Sequence, residues 1–226
     1  ATSTASSSSS LVSATSNETA TPGSYVVSVT DIAKAQTLSS KTFTSTTDVV
    51  GTGTLNITVG SGTPVAITID STNNTLSGIR DAINSASAGA TASIIKDGSA
   101  YRLLITSNTG ASNTLSMSVS GDGDGTDTGD DTGLSALNYY SGDNQMTQRQ
   151  AAQDASFSVN GLPLTSATNV ITDIVDGLDV TLSQATTSPV TITVAKNTDA
   201  VVAEIESFVA LDNSCYSSTK TLTKYN

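Results

Sequence analysis

Short segments in which apolar and polar residues alternate recur along most of the chain, and they constrain its fold more than any other feature. In residues 54–59 the side chains of Leu55, Ile57 and Val59 fall on one face, as expected for a strand with one buried side. Residues 65–69 repeat this alternation after a Gly-rich turn, which predicts a hairpin. The same spacing predicts strands over residues 25–30, 92–96, 101–106, 115–119, 155–159, 178–183 and 190–194. Many short strands separated by turns are typical of a mainly β protein.

Two dipeptides predict where consecutive strands turn back on each other. Asn160-Gly161 separates residues 155–159 from Leu162 and Leu164, and Asn-Gly suits a two-residue hairpin because both positions adopt positive φ. Asp97-Gly98 predicts a similar turn between the strands at residues 92–96 and 101–106.

Helical spacing is clearest after Asn74-Thr75. Leu76, Ile79 and Ile83 recur at i, i+3 and i+7, and Gly89 stands near the expected C-terminal cap. This spacing predicts a helix with one apolar face.

Two shorter helical pieces are predicted elsewhere, over residues 32–38 after Asp31 and over residues 170–176 before Gly177. The spacing of Asn, apolar residues and Asp in residues 74–83 recurs in residues 169–178. The favoured interpretation is that any short amphipathic helix that packs on a sheet has this spacing, and two related modules are the alternative.

The composition indicates neither catalytic nor nucleic-acid-binding chemistry. The 226 residues include no His, nine Lys and Arg, and twenty Asp and Glu, for a net charge of -11. Without His the chain has no Ser-His-Asp triad and no imidazole metal ligand. Its few basic residues are too dispersed to follow a phosphate backbone or an anionic membrane surface. We therefore predict no enzymatic activity, no catalytic residues, no metal, no cofactor, and neither a nucleic-acid nor a membrane partner.

Small hydroxyl residues are unusually abundant, since Ser and Thr account for 74 of the 226 residues. They dominate residues 1–22, where the low apolar content predicts an extended or disordered arm. Elsewhere Thr favours strands, and an acidic, hydroxyl-rich surface is typical of proteins that work outside the cell.

A candidate for cation binding is the loop of residues 121–133, which contains only Gly, Asp and Thr. Five Asp side chains between Asp122 and Asp131 offer the hard oxygen ligands that Ca²⁺ prefers. The EF-hand spacing, however, requires Gly where Asp127 stands and Glu where Gly133 stands. A solvated, self-repelling loop without bound metal is the favoured interpretation.

The last part of the chain has a different character, because residues 199–225 contain neither Gly nor Pro. Apolar residues that recur every seven positions are Val201, Phe208, Cys215 and Leu222. Ile205 adds to this seam, and Asp212 and Thr219 interrupt it. We predict a long helix with a narrow seam suited to a coiled-coil partner. No second such segment occurs here, so the partner is expected outside these residues and the sequence is expected to be a fragment; Cys215 is expected to act as a small hydrophobic side chain.

Several segments, taken in order, resemble the bacterial flagellar filament cap family, hook-associated protein 2. Residues 23–38 (GSYVVSVTDIAKAQTL) are similar to its G-x-Y-x-[IV]-x-V-x-x-L-A-x-A-Q stretch. Residues 76–84 (LSGIRDAIN) and 92–95 are similar to a helix and strand of that family. Further similar segments are 101–110, 159–161, 166–169 and 222–225.

The resemblance implies an α+β, mainly β fold, with two β-rich head domains, short packed helices and a long C-terminal helix. Residues 1–22 would be an arm from a leg domain, and residues 23–46 with 150–197 a split first head domain. Residues 47–149 would form an inserted second head domain. Residues 198–226 would be the stub of a coiled-coil leg helix.

The resemblance also implies a secreted structural protein at the tip of the bacterial flagellum, outside the cell. There it would form a ring-like homo-oligomer that caps the filament and promotes the folding and insertion of flagellin. One departure stands in the last helix, where residues 211–215 (LDNSC) replace the usual Ala-Tyr-Asn-Ser-Leu, and Asp212 is expected to weaken packing.

Two other functions fit the same composition. The first is an extracellular adhesin or glycan-binding β-module, for which a host mucin or glycan would be the partner. The second is a flagellin or hook–filament junction subunit.

Overall fold

The computed structural model describes residues 2–223, apart from the side chains of residues 199–201 and 222. This part of the chain folds into two compact units. Unit 1 takes in the described residues of Ala1–Val29, Phe157–Pro163 and Val170–Asn226. Unit 2 consists of Thr30–Ser156 and Leu164–Asn169.

Residues 2–120 contain nine strands and one helix. They are β1 (Thr2–Ser6), β2 (Val12–Ser16), β3 (Gly23–Asp31), β4 (Ala35–Ser39), β5 (Gly53–Val59), β6 (Val65–Ile69), α1 (Leu76–Ser85), β7 (Ala90–Asp97), β8 (Ala100–Thr109) and β9 (Leu115–Ser120). A 3-10 turn over Leu134–Leu137 follows. The remaining elements are β10 (Tyr139–Tyr140), β11 (Asp143–Asn144), β12 (Thr147–Gln150), β13 (Ala155–Val159), β14 (Leu162–Ser166), β15 (Val170–Val175), β16 (Leu178–Leu182), β17 (Val190–Lys196) and α2 (Thr198–Thr223).

Unit 1 is built on two sheets. One has the strand order β1-β17-β3-β13-β14, and the other has the order β15-β16-β2. The predicted alternation is confirmed in β3 and β17, where Val27, Val29, Ile192 and Val194 are buried. Polar residues between them face outward, so each strand contributes one side to the core of this unit.

Of the two states predicted for the Ser/Thr-rich start of the chain, extended or disordered, the structure shows extended strands over Thr2–Ser6 and Val12–Ser16. β1 pairs antiparallel with β17, and β2 pairs antiparallel with β16. Between β1 and β2, the hydroxyl of Thr4 donates to the Ala14 carbonyl oxygen at 2.9 Å and that of Ser6 to the Val12 carbonyl oxygen at 2.6 Å. Backbone pairing and hydroxyl bonds therefore order a segment whose apolar content is low.

Unit 2 also contains two sheets, with strand orders β11-β10-β9-β5-β6 and β12-β4-β8-β7. The predicted helix is confirmed as α1, and its apolar residues Leu76, Ile79 and Ile83 are fully buried. Thr75 caps this helix, because its Oγ1 accepts a hydrogen bond from the N–H of Gly78 at 3.1 Å. Other members of the same core include Leu38, Leu55, Ile57, Leu103, Ile105, Met117, Leu134 and Leu137.

The predicted hairpins and turns are confirmed. Leu55 lies opposite Ile67 in the β5–β6 pair, and Asp97 lies opposite Ala100 at the β7–β8 turn. In the turn between β13 and β14, Asn160 has a φ of 48° and Gly161 a φ of 82°. Positive φ at both positions is the geometry expected of an Asn-Gly hairpin.

Two predicted helical pieces are strands instead. Residues 35–39 form β4, which lies between β8 and β12 and makes backbone pairs with both. Residues 170–175 form β15, which pairs with β16, and Asp173 has a φ of 50° where the register shifts. In both places pairing with neighbouring strands satisfies the backbone better than a short isolated helix would. The spacing shared by residues 74–83 and 169–178 is therefore not a structural repeat.

The predicted α+β, mainly β class with a long C-terminal helix is confirmed. Neither helix, within the part of the chain that the structure describes, combines the length and apolar character needed to cross a membrane.

Candidate functional site

The acidic loop (residues 121–133) lies in unit 2 and is ordered by its own carboxylates. Oδ1 of Asp127 accepts a hydrogen bond from the N–H of Asp122 at 2.7 Å. Oδ1 of Asp130 accepts bonds from both the hydroxyl and the N–H of Thr132, each at 2.6 Å. These two bonds hold the pKa of Asp130 below its ordinary value of 3.8, and the bond from the hydroxyl has the larger effect. The carboxylates therefore close local turns of the loop.

A buried anchor holds the loop to the rest of unit 2. Asn138 is fully buried, and its Oδ1 accepts the N–H of Val119 at 2.8 Å. Its Nδ2 donates to the carbonyl oxygen of Asp127 and to Oδ2 of Asp143, both at 2.8 Å. Oδ2 of Asp143 also accepts the N–H of Gly129 at 3.0 Å, so one amide and one carboxylate hold the middle of the loop.

Asp143 stays charged although it is buried. Burial alone raises the pKa of its carboxyl, but hydrogen bonds from Gly129, Gln145, Asn138 and Tyr140 outweigh this and lower the pKa below 3.8. Asp122 is likewise buried, and its Oδ2 accepts the N–H of Ser135 at 2.6 Å.

The calcium hypothesis gains no support from this geometry. Backbone N–H groups donate hydrogen bonds to four of the five carboxylates, those of Asp122, Asp124, Asp127 and Asp130. The Lys41 ammonium donates a hydrogen bond to the backbone oxygen of Asp131. Among the residues whose side chains are described, no three acidic or Cys side chains lie together in a way that could hold a metal ion. Turn formation accounts for the loop, and no cation site is assigned.

A second polar centre, missed by sequence reasoning, lies at Gln36 on β4. Gln36 is buried, and its Oε1 accepts the N–H of Leu115 at 2.5 Å. Its Nε2 donates to Oε1 of Gln148 at 2.6 Å, and that oxygen also accepts the hydroxyl of Tyr139 at 2.9 Å. One side chain thus links strands of both sheets of unit 2. The sequence signal that could have indicated this centre is the Ala35-Gln36 pair in the segment of residues 23–38.

A long exposed surface lies on α2. Every residue of this helix whose side chain is described is exposed. We define the apolar arc of α2 as Val202, Ile205, Phe208, Val209, Leu211 and Tyr216, whose exposures run from 50% for Val209 to 71% for Phe208 and Leu211. At 1.5 Å per residue the 26-residue helix is about 39 Å long.

The arc is wider than the seam predicted from the sequence. Phe208, Ile205 and Cys215 of that seam are exposed on α2, whereas the side chains of Val201 and Leu222 lie outside the described residues. A second spacing, Val202, Ile205, Val209 and Tyr216, broadens the apolar face to about 180° at 100° per residue. The C-terminal end of the predicted leg helix, residues 224–226, also lies outside the described residues.

The arc begins beside a pocket in unit 1. Val202 lines this pocket of about 590 Å³ together with Thr2, Ala20, Pro22 and Lys196. An exposed apolar face on a long helix costs solvation free energy until another apolar surface covers it. The arrangement is therefore suited to binding another protein segment.

Two protein-family models match the chain. The model described as Flagellar hook-associated protein 2 C-terminus matches residues 152–226, and the Flagellin hook IN motif matches residues 54–109. The first match covers β13 to α2, and the second covers β5 to β8.

Named relatives agree with these models. The chain is 40% identical over 177 residues to flagellar hook-associated protein 2 of Escherichia coli O157:H7, covering 75% of the chain and 36% of that protein. It is 32% identical over 228 residues to the B-type flagellar hook-associated protein 2 of Pseudomonas aeruginosa, covering 95% of the chain and 46% of that protein. The chain thus spans less than half the length of these relatives.

Solved structures extend the similarity to the fold. The crystal structure of the D2-D3 domains of the Escherichia coli flagellar cap protein FliD is 36% identical, with a TM-score of 0.75, and the match covers 87% of this chain and 100% of that one. The D1-D2-D3 structure from the same organism has a TM-score of 0.82 and matches 96% of this chain and 73% of that one. On this identity, coverage and fold, the chain belongs to the flagellar hook-associated protein 2 family of flagellar cap proteins.

Proposed function

We propose that the chain is the head region of a protein that caps the distal end of the bacterial flagellar filament and promotes the insertion of flagellin. The observation that carries this proposal is the complete coverage of the Escherichia coli cap protein's D2-D3 structure at 36% identity. The named relatives are cap or hook-associated proteins rather than enzymes, which supports a structural role without a cofactor.

The proposed mechanism is steric. A ring-like homo-oligomer would form a plate over the filament end, and flagellin would fold and insert in the space beneath it. Two units with fully buried cores suit such a plate, because close-packed interiors transmit load with little deformation. In this proposal the protein works outside the cell at the flagellum tip, after passage through the flagellar export apparatus.

The domain limits belong to the same proposal. Residues 23–46 with 150–197 would form one head domain, which β1 and β2 join by pairing with β17 and β16. Residues 47–149 would form the inserted domain, and residues 198–226 would belong to the leg. The exposed apolar arc of α2 supports the last assignment, since a leg helix packed in a coiled coil would bury that face.

Deletion and complementation in a flagellated host test the proposal. Deleting the full-length gene should give short or absent filaments and unassembled flagellin in the medium, and the full-length wild type should restore normal filaments. A full-length variant with Phe208→Ala and Leu211→Ala should restore them poorly, whereas Glu206→Ala, on the opposite face of α2, should restore them fully. Filaments of normal length in the deletion strain would refute the capping function.

Mucin or glycan binding is a separate prediction that the named relatives do not address. Binding of the purified full-length protein to a glycan array is the measurement that tests it.

A further inference from the structure

The first strand of unit 1 is held in place by polar groups. β1 is an end strand of its sheet, and none of its five residues is buried. Thr4 lies opposite the buried Val194 of β17. Ser6 lies opposite Ile192, which is also buried, so hydroxyls occupy the core-facing positions of β1. β1 therefore lacks the apolar anchors that fix β3 and β17.

Hydroxyl groups close the seam between β1 and β2, which is the end strand of the other sheet of unit 1. We define the hydroxyl ladder as three bonds, with O···O distances of 2.6, 2.9 and 2.6 Å, that run from the hydroxyls of Thr2, Thr4 and Ser6 to the carbonyl oxygens of Asn17, Ala14 and Val12. The carbonyl row at the edge of β2 thus accepts side-chain hydroxyls where a neighbouring strand would supply N–H groups. A segment that fits this seam needs a small hydroxyl at every second position.

The sequence around β1 specifies its register weakly. Residues 2–10 contain only Ser, Thr and Ala, and hydroxyls stand at all the even positions, Thr2, Thr4, Ser6, Ser8 and Ser10. Strands that are polar on both faces are prone to slippage and to exchange between chains. Residues 7–11 join β1 to β2 and span about 17 Å when extended, which makes them a hinge long enough for β1 to leave its place.

The opposite end of the same sheet differs in this respect. Its end strand, β14, contains Pro163, which has no N–H to donate and so discourages pairing with another chain. The segment Thr2–Ser6 contains neither Pro nor a charged side chain, which are common protections of an edge strand. The β1 end is therefore the less protected end of this sheet.

We propose that the groove between the edges of β17 and β2 is a strand-exchange site, in which β1 of a second copy of this chain takes the place of the resident β1. Detachment of β1 breaks its backbone bonds to β17 and the hydroxyl ladder, and the incoming β1 restores all of them. Two exchanged copies therefore contain the same contacts as two separate copies, and reciprocal exchange gives a closed, two-fold symmetric pair. This self-association goes beyond the proposed capping function and does not depend on it.

Disulfide trapping between two differently tagged copies of the full-length protein tests the exchange. Both copies carry Cys215→Ser; one also carries Ala5→Cys and the other Thr193→Cys. Ala5 lies opposite Thr193 in the β1–β17 pair, and both residues are exposed. Opposite residues of an antiparallel pair have Cα atoms about 4.5–5.5 Å apart, a distance that a disulfide spans. Mild oxidation after mixing should therefore trap a mixed dimer in which β1 of one copy pairs with β17 of the other.

The matched control replaces Thr193→Cys by Ser24→Cys. Ser24 is exposed on β3 and lies opposite Thr193 on the side away from β1. Two strand spacings, about 9.6 Å, separate it from β1, and a disulfide does not bridge that distance. The mixed dimer should be at least about tenfold more abundant with Thr193→Cys than with Ser24→Cys. A single chain that carries both Ala5→Cys and Thr193→Cys should form the disulfide within one molecule, which verifies the register.

Variants of the hydroxyl ladder test what holds β1. Thr4→Ala with Ser6→Ala, placed in both copies, should accelerate formation of the mixed dimer at least about fivefold, because two hydrogen bonds no longer oppose detachment. The final yield should be unchanged, since the same two bonds are lost from the separate and the exchanged states. Ser3→Ala, on the exposed face of β1, is the control and should change the rate less than about twofold. Circular dichroism before oxidation confirms that the variants are folded.

Two outcomes would overturn the exchange site. One is an equal amount of mixed dimer with Thr193→Cys and with Ser24→Cys, which would show that the copies collide at random. The other is the absence of a mixed dimer when the single-chain disulfide forms, which would show that β1 pairs only within its own copy. An unchanged rate in the ladder variant would overturn the role assigned to the hydroxyls.

Discussion

Replacing Asn138 by alanine should detach the acidic loop and lower the free energy of unfolding of unit 2 by about 3–5 kcal/mol. The side chain is fully buried and makes three hydrogen bonds of 2.8 Å, to Val119, Asp127 and Asp143. The Asp127 carbonyl lies in the exposed loop and can bond to water instead, so its loss costs about 1 kcal/mol or less. The N–H of Val119 and the Asp143 carboxylate are buried, and each loses about 1–3 kcal/mol when its partner is removed.

Urea unfolding followed by circular dichroism measures the total effect, and hydrogen exchange at the amides of Val119 and Gly129 measures it locally. Asn144→Ala is the matched control, because Asn144 is exposed in the same segment. A loss below about 1 kcal/mol, with unchanged exchange at both amides, would refute the argument that Asn138 anchors the loop.

The same variant should change the response to acid. The folded-state pKa of Asp143 lies below 3.8, so its contribution to stability is present above that pH and is lost as the pH falls through the folded pKa. Without the Asn138 amide the folded pKa moves up toward 3.8, and the contribution becomes smaller at every higher pH. Acid titration of wild type and Asn138→Ala checks this; identical stability differences at pH 7 and pH 3 would contradict it.

Three further predictions concern unit 2, each measured as a change in unfolding free energy. Gln36→Leu should destabilise the unit by about 2–4 kcal/mol, because the buried N–H of Leu115 loses its acceptor; an effect under about 1 kcal/mol would contradict this. Gly78→Ala should destabilise it by about 1–3 kcal/mol despite alanine's helix propensity, since the added Cβ would lie 2.4 Å from the backbone oxygen of Asn73. Ser85→Ala, exposed in the same helix, is the control, and equal effects at both sites would refute the steric argument. Thr75→Ala should cost about 1 kcal/mol through the lost cap, which amide exchange at Gly78 also reports.

Hairpins were predictable because their determinants are local. Alternation of apolar and polar residues selects the buried face of a strand, and Asn160-Gly161 selects its turn, with no information from distant residues. The same holds for α1, where the cap and the apolar face lie within eleven residues.

Residues 35–39 were wrongly predicted as a helix because their conformation depends on strands that are distant in the sequence, whereas residues 170–175 pair with the strand that directly follows them. β4 pairs with residues near 105 and 148, and β15 pairs with residues near 180. Local helix propensity in such short segments is weak, and backbone hydrogen bonds to neighbouring strands outweigh it. The pairing of Thr2–Ser6 and Val12–Ser16 also depends on distant strands, since β1 and β2 pair with strands more than 160 residues away.

The sequence by itself determined the mainly β class, the hairpins, the α1 helix, the long last helix and the family resemblance, because each depends on spacing between neighbouring residues. Only the tertiary structure decided that Gln36 and Asn138 are buried, that the acidic loop is closed by its own hydrogen bonds, and that the arc of α2 is uncovered. Burial and hydrogen-bond partners depend on packing between residues far apart in the chain, and local sequence patterns do not reveal that packing. Asp212 illustrates the difference: its position in the last helix could be predicted from spacing alone, whereas the exposed apolar face around it appears only in the folded chain.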